Sequence, residues 1–245
     1  LRPKSAQLLR YLLLILLVST SAFAMAQKKY GKQRNLPSFD DRRYHFGFTL
    51  GVNSSGSFID RNFASNFNDS LLTLTPKNAS GFNLGIVTSL KLFNNYSMRF
   101  IPSLSFQDRV VLYEFLKADG KSEFFEKRIE STFIDFPINF KWRSNRLNNT
   151  AVYVLFGGKY SLDVASQEDV NNFIADDIIL KLKKHDFSGE VGGGFDFFLP
   201  YFKFGIELKL AVGIPNLLIQ DNTRFSSPIN SFRTRTFMLS FTFEG

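Results

Sequence analysis

From residue 44 to residue 53 the chain reads Tyr-His-Phe-Gly-Phe-Thr-Leu-Gly-Val-Asn. Phe46, Phe48, Leu50 and Val52 point one way, and Gly47, Thr49, Gly51 and Asn53 point the other. A period of two separates two faces only on an extended strand, because a helix needs 3.6. About ten residues is also the length that crosses a bilayer when a strand tilts. A chain that keeps this rhythm is confined to a sheet, and if both faces are specified over that length, to a sheet that can close in a membrane.

The rhythm returns seven more times. After the first strand at 44–53, a second is expected at 80–92, with Phe82, Leu84, Ile86, Leu90 and Leu92 on its apolar face. A third starts near Tyr96 with Met98, Phe100, Leu104 and Phe106 outward, and extends through Val110 and Leu112. The fourth covers 128–142 with Ile134, Phe136, Ile138, Phe140 and Trp142 outward, and the fifth covers 150–163. The sixth is 186–199 and the eighth 233–243, while the seventh, 201–214, is the clearest: Phe202, Phe204, Ile206, Leu208, Leu210, Val212 and Ile214. Connections alternate strictly between long (54–79, 113–127, 164–185, 215–232) and short (93–95, 143–149, Pro200). In outer-membrane barrels short turns face the periplasm and long loops face outside, so an even strand count leaves both termini periplasmic. The expected fold is all-β, an eight-stranded antiparallel up-and-down transmembrane β-barrel over 44–245, placed in the cell outer membrane.

The start of the chain agrees with export. Arg2, Lys4 and Arg10 precede an apolar centre at Tyr11–Val18 and a small-x-small exit, Ala24-Met25-Ala26. That run is too short to span as a helix, so 1–26 is expected to be a signal peptide. Its removal lowers the formal charge from +8 to +5. Residues 27–43 then form a polar periplasmic arm carrying Lys28, Lys29, Lys32, Arg34, Arg42 and Arg43 against Asp40 and Asp41. It is either a solvated leader or a contact for a periplasmic partner or acidic headgroups. Cysteine is absent, which removes disulfides, thiolate metal ligands and lipid acylation together. The 30 phenylalanines are suited to a lipid-facing wall, where each fully buried ring gains about 1.5–3 kcal/mol. The basic residues are scattered among acids rather than gathered in a stripe, so nucleic acid is not an expected partner.

An eight-stranded barrel is just wide enough for side chains to fill it. By alternation its inward positions include Arg99, Asp135, Lys141, Lys159, Glu190, Asp196, Lys203, Glu207 and Lys209. Charges removed from water must be paired, so these residues are expected to form a structural network of ion pairs. Glu190 and Glu207 are two carboxylates, as acid–base chemistry would need, but they sit among lysines and suit salt bridges. Gly157-Gly158 and Gly192-Gly193-Gly194 lie in strands, where they admit sharp curvature and large interior neighbours. They precede no helix and match no phosphate-binding loop. His45 and His185 are the only histidines, fall near strand ends and offer no zinc spacing. Ser166-Gln167-Glu168-Asp169 before Phe173 and Ile174 reads as a cap for a short helix in an acidic loop. That loop is either a solvated surface or a docking site for a basic patch. No catalytic, cofactor or metal residues and no small-molecule substrate are expected.

Several stretches resemble a known family. They are Tyr44–Gly51, Ile101–Phe106, Glu130–Pro137, Leu180–Lys184, Phe195–Phe204 and Phe237–Glu244. In these the chain is similar to the PorT/SprT family of Bacteroidota outer-membrane proteins, over almost the whole of 27–245. The resemblance implies an accessory role in type IX protein secretion, which exports cargo bearing a C-terminal signal, and in gliding bacteria the delivery of surface adhesins. The implied partners are outer-membrane lipid and envelope proteins of that export system. The family supplies no catalytic residues to transfer. The alternative is a stand-alone barrel serving adhesion or envelope integrity.

Overall fold

A computed structural model describes residues 34–62, 70–117, 119–168 and 178–245. The chain divides into a unit Leu1–Arg34, of which only Arg34 is described, and a unit Asn35–Gly245 that holds the whole sheet. The expected signal peptide and residues 27–33 of the expected arm therefore lie outside the described residues. So does most of the expected helix cap: Ser166 Oγ accepts a hydrogen bond from the Glu168 backbone N–H at 3.2 Å, but 169–177 are not described. Among the described residues no helix is long and apolar enough to cross a membrane.

The strands are β1 (Tyr44–Arg61), β2 (Leu71–Lys91), β3 (Tyr96–Phe100), β4 (Ser103–Leu116), β5 (Ser122–Arg143), β6 (Thr150–Asp163), β7 (His185–Phe198), β8 (Lys203–Gly213) and β9 (Ile229–Glu244). Every pairing is antiparallel and sequential, and β1 closes the sheet by pairing with both β2 and β9. β3 and β4 are two halves of one wall. Both pair with β2 and with β5, and the register runs unchanged across the break, from Phe100↔Ile138 to Ser103↔Asp135. The barrel thus has the eight walls expected.

Two prolines account for the break. Ile101 donates to the Pro137 carbonyl at 3.4 Å, and Ile86 donates to the Pro102 carbonyl at 3.0 Å. Neither proline has an N–H with which to return the bond, so each side of the wall loses one ladder contact at the same level. Two glycines of β7 show the opposite economy, Gly194 facing inward and Gly189 outward. A Cβ on Gly194 would lie 2.1 Å from the Ile206 carbonyl oxygen and 2.8 Å from the Tyr153 ring, whereas one on Gly189 meets nothing within 4 Å. Gly194→Ala is expected to cost at least about 1–3 kcal/mol, the usual penalty for forcing atoms into a filled interior. Gly189→Ala should stay within about 0.5 kcal/mol. Denaturant unfolding of the two variants in bilayers checks the contrast, and equal costs would mean that the Gly194 wall can move.

The strands outlast the expected ones at one end. β1 continues from 53 to Arg61, β2 starts at Leu71 rather than 80, β4 runs to Leu116, β5 starts at Ser122 and β9 at Ile229. These extensions carry Ser54, Thr73, Thr75 and Lys77 with only scattered exposed apolar residues such as Phe58, Leu72 and Phe124, and no continuous apolar outward face. Alternation between lipid and interior is therefore lost there, although the hydrogen-bond ladder continues. Outside the membrane a strand has no need of an oily side, which is why pattern reading stopped short.

Candidate functional site

The lipid-facing positions emerge as expected from alternation. Phe46, Phe48, Leu50, Val52, Phe82, Leu84, Ile86, Ile138, Phe140, Trp142, Val154, Phe156 and Phe195 are all exposed on the outer face. The inward set is buried, and it is ionic. Among the described residues, the buried charged side chains divide evenly: Arg99, Arg109, Lys141, Lys159, Lys203 and Lys209 against Asp135, Asp186, Glu190, Asp196, Glu207 and Glu244.

Of the nine residues singled out from sequence, Arg99, Lys141, Glu190, Asp196, Lys203, Glu207 and Lys209 join through Glu244 in one chain of contacts, and Lys159 and Asp135 form a separate pair. At its centre Arg99, 1 % exposed, bonds Glu207 through Nη1 at 2.5 Å and faces Glu244 through Nη2 at 3.5 Å. Lys203 bonds the other Glu244 oxygen at 2.8 Å and lies 3.9 Å from Asp196, which Lys141 holds at 2.8 Å. Lys141 also caps the Tyr153 ring at 3.4 Å, and the Tyr153 hydroxyl donates to Glu207 at 2.8 Å. Lys209 stands between Glu207 at 3.5 Å and Glu190 at 3.9 Å, with the Asn139 amide donating to Glu190 at 2.9 Å. Farther along, Lys159 reaches Asp135 at 3.3 Å, and the Ser161 hydroxyl donates to the same carboxylate. Every carboxylate of the nine thus has a cation or hydrogen-bond donor against it, as a low-dielectric interior demands.

Sequence reasoning missed Glu244, Arg109, Asp186 and Tyr153. The signal was present. Glu244 shares the parity of the inward Ser240 and Thr242, Arg109 that of Ser105 and Gln107, and Asp186 that of Ser188 and Glu190. Only Glu244 lay beyond an expected strand, by one residue; Arg109, Tyr153 and Asp186 lay inside expected strands at inward parity.

Both ends of this column are closed. At the end near the termini, residues 35–43 fold back over the mouth, with Phe39 in a short 3-10 turn (Phe39–Asp41) and 5 % exposed. Its ring stacks on His45 at 3.8 Å with planes 8° apart and meets Phe198 edge-on at 5.8 Å. Asp40 is clamped by Arg143 at 2.7 Å and Arg146 at 2.8 Å, while Lys91 donates to its backbone carbonyl. Asn35 ties the segment to Asn149 and to the Phe198 carbonyl, each at 2.9 Å. Expected near a strand end, His45 is a buried platform for Phe39, and a small cleft opens beside the pair. His185 is exposed and bonds the Tyr160 hydroxyl at 2.7 Å.

Partial burial pushes the Asp40 carboxyl up, but hydrogen bonds and charge from Arg143 and then Arg146 outweigh it and hold the group below the ordinary aspartate value of 3.8. A carboxylate depressed on folding contributes stability above its unfolded pKa and loses it as pH falls through the folded one. The docked arm is therefore expected to be held fully above about pH 4 and to loosen progressively in more acid solution. Asp40→Asn should abolish that dependence. Hydrogen exchange at residues 35–43 against pH is the measurement, and a flat profile in the parent protein would refute the clamp.

The opposite end is closed by apolar packing. Phe225, on the connection between β8 and β9, enters a cluster with Tyr113, Phe115, Leu180, Leu217 and Phe232, all buried. The Tyr113 hydroxyl donates to the Phe225 carbonyl at 2.9 Å, and Lys127 and Arg224 lie over the Phe225 and Phe115 rings at 4.5 and 3.8 Å. Asp221 stiffens this connection by accepting from the Thr223 and Ser226 hydroxyls at 2.9 and 2.5 Å. An isolated bridge, Leu182↔Leu218, stitches it to the β6–β7 connection. Among the described residues, no group of three or more His, Asp or Glu is placed to hold a metal ion.

A model of the family described as outer membrane protein beta-barrel domain matches residues 25–218. The chain belongs to this family. As an outer-membrane barrel it sits in membrane lipid through the aromatic and aliphatic face described above. No curated protein matches its sequence. Among solved structures, Ail, the attachment invasion locus protein of Yersinia pestis, in complex with the heparin analogue sucrose octasulfate, is 15 % identical, covering 83 % of this chain and 100 % of that one with a TM-score of 0.37. OprG from Pseudomonas aeruginosa is 11 % identical over 83 % of this chain and 94 % of its own, with a TM-score of 0.41. Neisserial surface protein A is 9 % identical over 81 % of this chain and 96 % of its own, with a TM-score of 0.38.

Proposed function

We propose that this outer-membrane barrel is neither an enzyme nor a pore but a membrane-fixed body that works through contacts at its two ends, as an accessory component of type IX secretion. The observation that carries the non-conducting part is the closed column: a charge-balanced interior, an arm with Phe39 seated in one mouth, and an apolar cluster across the other. Inward carboxylates and lysines serve each other, so the nine interior charges act as a structural network. The secretion part is supported by the stretches that resemble the PorT/SprT family. The connections support an orientation with both termini in the periplasm: those between β2 and β3, β5 and β6, and β7 and β8 are short, and the far side carries the longer ones, 62–70, 164–184 and 214–228, although the connection expected to be long at 113–127 is there a five-residue turn, 117–121. Under this reading residues 1–26 are a signal peptide, the arm 27–43 is periplasmic, and envelope proteins of the export system meet the arm or the outer connections.

Two experiments test the parts separately. In planar bilayers the purified protein should add no stepwise conductance, and regular ion-conducting steps would overturn the closed-column reading. In a clean deletion strain, cargo with C-terminal signals should vanish from the surface, accumulate in the periplasm and return on complementation. Unchanged export would remove the secretion role and leave a stand-alone barrel for adhesion or envelope integrity.

A further inference from the structure

On the lipid side of β9 the outward residues read Phe243, Phe241, Leu239, Phe237 and then Arg235 and Arg233. The change is abrupt. Phe237 is 49 % exposed to the membrane side, and Arg235 follows two residues, about 7 Å, farther along the strand. The neighbouring wall agrees on the level: Phe237 pairs with Leu210 of β8 and Arg235 with Val212, the last outward apolar residue within that strand. Two guanidinium groups therefore leave the wall at the edge of its continuous apolar band, with exposed Phe58 standing opposite Arg233.

Neither arginine has a carboxylate to answer it. Among the described residues no acid lies within 4 Å of Arg233 or Arg235, whereas Arg128, on another wall at the same end, pairs with Asp108 at 3.4 Å. Asp60, the acid on the facing stretch of β1, instead accepts from the Ser231 hydroxyl at 3.0 Å. Arg235 is held in place by uncharged partners: its guanidinium lies over Phe58 at 5.0 Å and one Nη donates to the Asn78 amide oxygen at 3.4 Å. It crosses Gly56, which has no side chain to obstruct it. Its remaining donors are fixed in direction and unassigned, as a fork for a tetrahedral oxyanion requires.

Beside these arginines the wall itself parts. β1 and β2 pair only as far as Ser55↔Ala79. Beyond that level β1 continues against β9 to Arg61, and β2 against β4 to Leu71, so Gly56–Arg61 and Leu71–Asn78 have no ladder bonds to each other. Such edges invite another strand, but Pro76 removes a donor from one of them and exposed Lys77 places a charge on it. Arg61 bridges the far end of the seam to the Leu71 carbonyl at 2.6 Å, and what remains beside Arg233 and Arg235 is open surface continuous with the hydrocarbon-facing wall below, which suits a lipid headgroup.

We propose that Arg233 and Arg235 bind the phosphate of a phosphorylated glycolipid in the outer leaflet and so anchor this side of the barrel. The proposal rests on the membrane reading given above, in which this end faces outward. An anion at this interface is drawn by two cations in a medium of lower dielectric than water, where each contact is stronger than on a soluble surface.

The test uses the full chain in nanodiscs of phosphatidylcholine carrying lipid A, either with its phosphates or enzymatically dephosphorylated, with retained lipid counted by native mass spectrometry. Lipid A with phosphates should be retained at least tenfold better than the dephosphorylated form, and R233Q/R235Q should erase that preference while R233K/R235K keeps part of it. Equal retention of the two lipids by the parent protein, or an undiminished preference in R233Q/R235Q, overturns the proposal. Folding of each variant is read from its heat-dependent gel mobility. If the double variant does not fold, the single variants R233Q and R235Q and the parent protein's own comparison of the two lipids decide. Because the discs are symmetric, retention does not depend on which end faces outward in the cell. That is read separately, from protease cleavage of intact cells at the Lys117–Lys121 turn, so a wrong orientation and a wrong site give different results.

Discussion

Arg99→Met is expected to destabilise the barrel by about 3–5 kcal/mol, the cost of stranding buried charges whose partner has been removed. Arg99 is 1 % exposed and serves two carboxylates, Glu207 and Glu244, that are themselves buried. Lys209 and Lys203 stand near them but at 3.5 Å from Glu207 and, for Lys203, already committed to Glu244 at 2.8 Å. Removing Arg99 therefore leaves an excess negative charge with no water to receive it. Adding Glu207→Gln should restore more than half of the loss, because residues in one network do not act independently. Chemical unfolding in lipid bilayers gives both numbers. A loss below about 1 kcal/mol for Arg99→Met would mean that the interior is wet and the network carries little of the stability.

Phe39→Ala is expected to weaken docking of the arm by about 3–5 kcal/mol, the usual cost of deleting a buried ring. The ring fills a mouth bounded by His45, Phe198 and Ala151, and among the described residues of the arm the other apolar side chain packed there is the half-buried Leu36. The arm precedes the first strand and belongs to no ladder, so it can leave without unfolding the sheet, and local opening caps what global unfolding will record. The clearest readout is local. Hydrogen-exchange protection at residues 35–43 should fall more than about a hundredfold, with the β-strands unchanged. If the strands lost protection in parallel, the arm would be part of the barrel's cooperative unit rather than a seated stopper.

These two variants mark the boundary between what pattern could reach and what it could not. Arg99, inward on an alternating strand, was legible as one member of a charge network because Met98 and Phe100 on either side must face lipid. Its actual partner Glu244 lay one residue beyond the last assigned strand and was missed for that reason alone. Phe39 was read as part of a polar arm: one phenylalanine among Asp40, Asp41, Arg42 and Arg43 gives no periodicity, and its burial depends on a chain that turns back over a mouth formed by strands from both ends of the sequence. The apolar cluster at the other end is equally silent in the sequence. Leu180, Leu217 and Phe225 sit in irregular connections with no repeat to betray a shared core.

What the sequence determined by itself was the wall: the number of walls, their order, and which residues face lipid. A strand crossing a bilayer has its two faces in different solvents, and that difference is written into every second residue. What only the tertiary structure decided was the closure of the two ends, the pairing within the charged column, and the seam where β1 and β2 part. Each of these depends on groups far apart in sequence meeting at one height in the barrel. That height is set by strand register and by where the ladder stops, neither of which leaves a period in the chain.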